Sequence, residues 1–229
     1  MGFRVVTPSP EAVLAALFEA RAVGFKRGKA IRFKQKILSP GAYINNRALP
    51  SHRKEWAVVI RELQRVADIL HTKHEYSVIA SIATGAIVHG GVLAWETGFP
   101  HVIVKAEEKT HGLSGLIDGD TRVLEGARVL LIEDMSSTFK SSLAAMRAFA
   151  EKGVGVSCSL LINTWGFPEF HENVGDHDVV ALCSGSMIVD FAESNHIIDA
   201  EYATLLRKWI ADPYDESWVS DEWIIPPRK

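Results

Sequence analysis

Cysteine is scarce in this 229-residue chain, which carries only Cys158 and Cys183. Two cysteines cannot build a disulfide scaffold, and both lie in apolar, strand-like runs, so reduced core residues are expected. An excess of one charge is also missing. Lys and Arg number 25 against 28 Asp and Glu, a net charge of −3. That excludes a general nucleic-acid binder, whose affinity rests on concentrated Lys and Arg, and leaves anion binding to local cations. No apolar run reaches the length of a membrane-spanning helix, and no signal-like segment opens the residues given. No membrane partner and a cytoplasmic location are the expectation. Internal repeats and low-complexity stretches are absent as well. What the chain does have is apolar content, 47% against 23% charged, enough to bury the core of one α/β domain with a small appendage.

Helical spacing of Val13, Leu14, Leu17 and Phe18 predicts a helix over residues 8–22. The period resumes over 53–71 through Trp56, Val59, Ile60, Leu63, Val66 and Leu70. Between these helices the chain is broken by Gly24, Gly28, Pro40, Gly41 and Pro50, and residues 30–33 and 42–45 are expected to pair as a short antiparallel hairpin. From residue 77 onward strands and helices alternate. Strands are predicted at 77–82, 101–105, 128–132, 155–162 and 178–183, and helices at 87–97, 140–152, 186–195 and 199–211. A loop is expected between 162 and 178. The alternation implies a mostly parallel sheet with right-handed crossovers. Residues 1–50 are expected to form an N-terminal helix and hood, 51–212 the core, and 213–229 a tail that reads as a surface strap.

Chemistry concentrates in the run from Val129 to Ser142. Four apolar residues form a buried strand, and Glu133 and Asp134 stand at its C-terminal end, where open α/β sheets bind ligands. Hydroxyls follow at Ser136, Ser137, Thr138, Ser141 and Ser142, entering a helix. Such a turn offers N–H groups and a helix N-terminus to a phosphate, and the acids suit ribose hydroxyls or a cation bound to them. An ordinary N-capped helix explains the same residues, and this segment alone leaves both readings open. A second strand ends in Ala83-Thr84-Gly85 and passes straight into a helix, where Gly85 permits close backbone approach. It lacks the spacing of the ATP-type phosphate loop, and a plain tight turn is its alternative. The long polar loop from Lys105 to Gly119 carries Lys105, Lys109 and His111, with Gly112 and Gly115 as hinges. Either it closes over an anionic substrate or it is a solvated run in which Glu107 and Glu108 offset the lysines. Lys36, the Pro40-Gly41 turn, Tyr43 and Arg47 gather in the N-terminal region.

In order and spacing, four blocks resemble the orotate phosphoribosyltransferases, a family of type I phosphoribosyltransferases. They are Ser39-Pro40 with Tyr43-Ile44-Asn45-Asn46-Arg47, then Ile82-Ala83-Thr84-Gly85, then Lys105 to Gly112, then Glu133-Asp134 with its hydroxyl loop. The likeness runs from about residue 10 to 211, and the Lys-x-His-Gly loop is its most specific piece. The resemblance implies a doubly wound parallel sheet with a small hood, a homodimer, and magnesium-dependent transfer of ribose 5-phosphate from phosphoribosyl pyrophosphate to orotate. Carried over by position, Glu133 and Asp134 would hold the ribose hydroxyls, with magnesium near them through the substrate. Ser136, Ser137, Thr138, Phe139, Lys140 and Ser141 would cradle the 5′-phosphate, Ser137 lying near the pyrimidine. Ala83, Thr84 and Gly85 would meet the pyrophosphate. Lys109 and His111, with Lys105 behind them, would close over it from the neighbouring subunit, and Lys36 falls near a family lysine before the Ser-Pro turn. Phe139 and Lys140 stand where the family commonly has glycines. A Phe ring there is expected to crowd the phosphate, and Lys140 to supply charge to it. Another base, or a catalytically silent relative, is the alternative.

Overall fold

The computed structural model describes residues 2–33, 37–105 and 115–226. Among these, seven strands form one sheet in the order β1-β11-β10-β9-β6-β7-β8. The central five are β6 (Val78–Ile82), β7 (His101–Val104), β9 (Arg128–Ser136), β10 (Gly155–Thr164) and β11 (Val179–Ser184). All five run parallel. Their apolar runs carry few polar residues because both faces of the sheet are covered. β1 (Phe3–Val5) adds a parallel edge beside β11, and β8 (Ile117–Asp118) closes the other edge antiparallel to β7.

Alternating side chains divide the sheet into two layers. Ile79, Leu130, Ile132, Leu160, Ile162 and Leu182 face α1 (Pro10–Glu19), α2 (Arg53–His74), α3 (Ile87–Thr97), α6 (Gly185–Ser194) and α7 (Ala200–Ala211). Their alternates, Val78, Ala80, Val129, Leu131, Leu161 and Ala181, face α4 (Lys140–Ala150) and α5 (Pro168–Val174). This is the doubly wound arrangement. From β6 the chain winds one way to β7, then returns to the other side of β6 for β9, β10 and β11. The switch point therefore lies between the C-terminal ends of β6 and β9, where ligands bind in such sheets.

A hood of short strands sits beside these ends. β2 (Val23–Phe25) pairs antiparallel with β5 (Ala42–Ile44), and β3 (Ile31–Arg32) with β4 (Leu38–Ser39). The expected pairing of residues 30–33 with 42–45 is therefore replaced by two separate pairings. In the first, the Tyr43 ring lies across Gly24, where a Cβ would fall 2.5 Å from its hydroxyl. Gly41, at φ +84, turns the chain after Pro40 in a conformation that favours glycine. The C-terminal strap crosses the hood: the Ala30 N–H donates to the Ile224 carbonyl (3.0 Å) and the Ile224 N–H to that of Gly28 (2.8 Å). Cys158 and Cys183 are free and buried, as expected, and burial pushes both thiols up to about 12. Among the described residues no helix is long and apolar enough to cross a membrane.

Candidate active site

β9 outlasts its apolar core. Glu133, Met135 and Ser136 remain in register with Leu161, Asn163 and Thr164 of β10, so the acids are held by sheet rather than by loop. Successive side chains leave opposite faces. Glu133, 5% exposed, turns toward α4, where the Ser142 hydroxyl donates to its Oε2 at 2.6 Å. Burial outweighs that bond and pushes the Glu133 carboxyl up to about 7. Asp134 takes the opposite face, at the switch point. A Cβ on Gly85 would fall 2.1 Å from its Oδ1, so the turn after β6 needs glycine to seat this carboxylate. Burial raises the Asp134 pKa, and the nearby Arg47 guanidinium opposes that rise. The sheet thus brings Ala83-Thr84-Gly85 and Asp134 together from segments 49 residues apart, with Thr84 exposed above them.

The hydroxyl loop is built from inside. The Ser136 hydroxyl accepts the Phe139 N–H (3.1 Å), the Thr164 hydroxyl donates to the Ser136 carbonyl (2.6 Å), and Asn173 Nδ2 donates to that of Thr138 (2.7 Å). Ser137 and Ser141 stay half-buried at its rim. Phe139 does not crowd the loop, contrary to the expectation from its size. Its backbone takes the left-handed conformation at φ +61. Its ring, fully buried, leaves the loop for a pocket with Phe170 and His177, centroids 5.6 and 6.1 Å away. What Phe139 offers the loop is its backbone. Lys140 remains at the rim, where its ammonium pairs with Glu169 at 2.5 Å, and Tyr214 of the strap donates to the same carboxylate at 3.0 Å. A cavity of about 330 Å³ opens here, lined by Glu133, Met135, Ser136, Ser137, Thr138, Lys140 and Ser141, and from the hood by Arg32 and Phe33. A larger groove of about 770 Å³ lies elsewhere, between α7 and Trp218 and Trp223 of the strap. No residue of the four sequence blocks lines it, whereas Glu133 and the hydroxyl loop line the smaller cavity.

Buried amides tie the hood to the strand tips. Asn46 Nδ2 donates to the Asp134 carbonyl at 2.7 Å and to Asn163 Oδ1 at 3.2 Å. Below them the Trp56 indole N–H donates to His89 Nδ1 at 3.0 Å, which leaves the ring hydrogen on Nε2. Burial pushes His89 down to about 4, so this imidazole stays neutral.

Of the residues expected at the site, Lys36, Lys109 and His111 lie outside the described residues. Lys105 closes the β7–β8 edge through an ion pair to Asp118 at 2.7 Å. Glu133, Asp134, the 83–85 turn and the 136–141 loop meet around the ends of β6 and β9. Sequence reasoning missed Arg32, Phe33, Asn163 and Glu169. Only Arg32 carried a visible signal, as a cation in an otherwise apolar stretch of the hood.

No family model matches the chain. Curated relatives named orotate phosphoribosyltransferase do, among them one from Porphyromonas gingivalis, 31% identical over 90% of this chain and 96% of its own length, and one from Coxiella burnetii, 30% identical over 88% and 94%. The solved orotate phosphoribosyltransferase of Aeropyrum pernix shares the fold, with a TM-score of 0.62 over 78% of this chain and 97% of that one at 18% identity. Identity of this level along nearly the whole length, joined to the strand order and the acid tip at the switch point, means that this chain belongs to the orotate phosphoribosyltransferase family.

Proposed function

We propose that this chain is an orotate phosphoribosyltransferase, moving ribose 5-phosphate from phosphoribosyl pyrophosphate to N1 of orotate. The products are orotidine 5′-monophosphate and pyrophosphate, a step of pyrimidine biosynthesis. The observation that carries the reading is the seating of Asp134 against Gly85 beside the hydroxyl loop, on a chain related to this family along nearly its full length. As the C1–pyrophosphate bond breaks and the C1–N1 bond forms, positive charge grows on the sugar and negative charge on the departing phosphates. Asp134 and Glu133 are suited to the sugar side, where a carboxylate orders hydroxyls and favours the cation. The 136–141 loop, with Ser137 and Ser141 at its rim, suits the 5′-phosphate, and the 83–85 turn, with Thr84 exposed, the pyrophosphate. Lys109 and His111, with Lys105, are assigned to the leaving group, and Lys36 to the substrate.

Magnesium would be held by these substrate phosphates and hydroxyls with Asp134 and Glu133 behind them, where it neutralises phosphate charge. The oxygen-rich donor set fits such an ion, and among the described residues no three His, Cys, Asp or Glu side chains converge to cage it without substrate. A homodimer that shares the Lys105–His111 loop belongs to the same reading. It is supported by the apolar face of α3, where Trp95 is 85% exposed beside Val88. A cytoplasmic location goes with it. The test is loss of orotate absorbance on incubation with phosphoribosyl pyrophosphate and magnesium. Turnover with uracil or a purine but not orotate would reassign the base, and ligand binding without any turnover would mark a silent relative.

A further inference from the structure

Arg32 lines the hydroxyl-loop cavity from the hood. Its side chain is 19% exposed, and its Nε is buried without a hydrogen-bond partner. Its Nη1 stands 4.0 Å from the Glu216 carboxylate of the C-terminal strap, beyond hydrogen-bond reach. A guanidinium keeps its charge, and leaving a buried donor such as this Nε unmade is costly. The arrangement is suited to an incoming anion with two oxygens in one plane.

Two anions reach this cavity in the proposed reaction, a phosphate and the carboxylate of the base. The phosphate has its own cradle on the sheet side, with Lys140 at the rim. Arg32 comes from the hood. Its neighbour there is Phe33, whose ring is anchored against Trp209 at a centroid distance of 6.0 Å, and Met135 adds a further apolar surface to the cavity. Apolar side chains beside a fork-shaped cation fit a planar ring bearing a carboxylate. We infer that Arg32 is a specificity-determining residue that binds the carboxylate of the pyrimidine substrate, exchanging its loose contact with Glu216 for that pair. The inference rests on the reading of the chain as an orotate phosphoribosyltransferase.

Steady-state kinetics with orotate and phosphoribosyl pyrophosphate varied in turn separates the two claims. Orotate turnover by the unaltered protein tests the activity, and the ratio of variant to unaltered protein tests Arg32. Arg32→Gln is expected to raise KM for orotate at least about tenfold, since a charge-assisted pair is lost, with KM for phosphoribosyl pyrophosphate held within about twofold. Arg32→Lys, which keeps the charge and loses the fork, should give a smaller rise in the same constant. Should Arg32→Gln fail to fold, as judged by thermal melting, Arg32→Lys decides alone. An unchanged KM for orotate overturns the inference. So does a matching rise in KM for phosphoribosyl pyrophosphate, which would give Arg32 to the phosphate.

Discussion

Replacing Glu133 by Gln should make this protein more stable in alkali and leave it nearly unchanged in acid. The side chain is 5% exposed and its carboxyl is pushed up to about 7 from an ordinary 4.5, first by burial. In the unfolded chain the proton leaves near 4.5. In the folded protein it stays until about 7. The folded state is therefore free of penalty below about pH 4.5, and stability is lost as pH rises through 7. At about 1.36 kcal/mol per pH unit between the two values, the loss reaches about 3 kcal/mol above pH 8. A glutamine carries no such penalty, and its amide oxygen can still accept the Ser142 hydroxyl that now bonds Oε2. Urea unfolding at pH 5 and pH 8.5 measures the difference. Glu133→Gln should exceed the unaltered protein by about 3 kcal/mol at pH 8.5 and by no more than about 1 kcal/mol at pH 5. A difference that does not change between the two pH values, or a variant that is weaker at pH 8.5, would refute the buried-charge account. Stability gained together with turnover lost would show an ionisable group kept for chemistry at the expense of the fold.

Gly85→Ala places a methyl group 2.1 Å from Asp134 Oδ1, so the carboxylate must move. An ångström-scale displacement should lower kcat/KM roughly 100-fold, and unchanged kinetics would remove Asp134 from the site. Phe139→Gly empties an aromatic pocket and relieves a left-handed residue. The net loss should be about 3 kcal/mol by calorimetry, with KM for phosphoribosyl pyrophosphate within about twofold. A lower KM without destabilisation would put the ring back in the phosphate cradle. Lys109→Ala should cut turnover by an order of magnitude or more while leaving the melting temperature within about 2 °C. Equal damage to both would make Lys109 structural.

The long elements were legible because their periodicity is a local matter. The predicted helix 87–97 is α3 as observed, closed by Gly98 at φ +76, and the helix 53–71 extends only to His74. Where the reading failed, the deciding contacts were non-local. Residues 23–25 read as a break because of Gly24, yet they pair with β5, and the Tyr43 ring lies across that glycine. Three residues at Phe3–Val5 and seven at Pro168–Val174 are too short to show a period. β9 and β10 ran past their apolar segments because Asn163 and Thr164 satisfy polar groups across the ladder and from the hood.

Phe139 shows why a site can be named from sequence while its geometry stays hidden. Chemistry-bearing residue types and their order point to a phosphate loop, and a bulky residue in it looks like an obstacle. What the string of letters cannot give is the direction of the Cα–Cβ bond, which at φ +61 is turned off the loop and into the layer under α4 and α5. A left-handed residue costs roughly 1–2 kcal/mol, and full burial of a Phe side chain offsets that with roughly 1.5–3 kcal/mol. Glycine meets the same backbone demand with no side chain to anchor the turn. The aromatic ring therefore holds the loop from below while Ser137, Ser141 and Lys140 stay at its rim, and the bulk that seemed to block an anion instead fixes the cradle that would receive it.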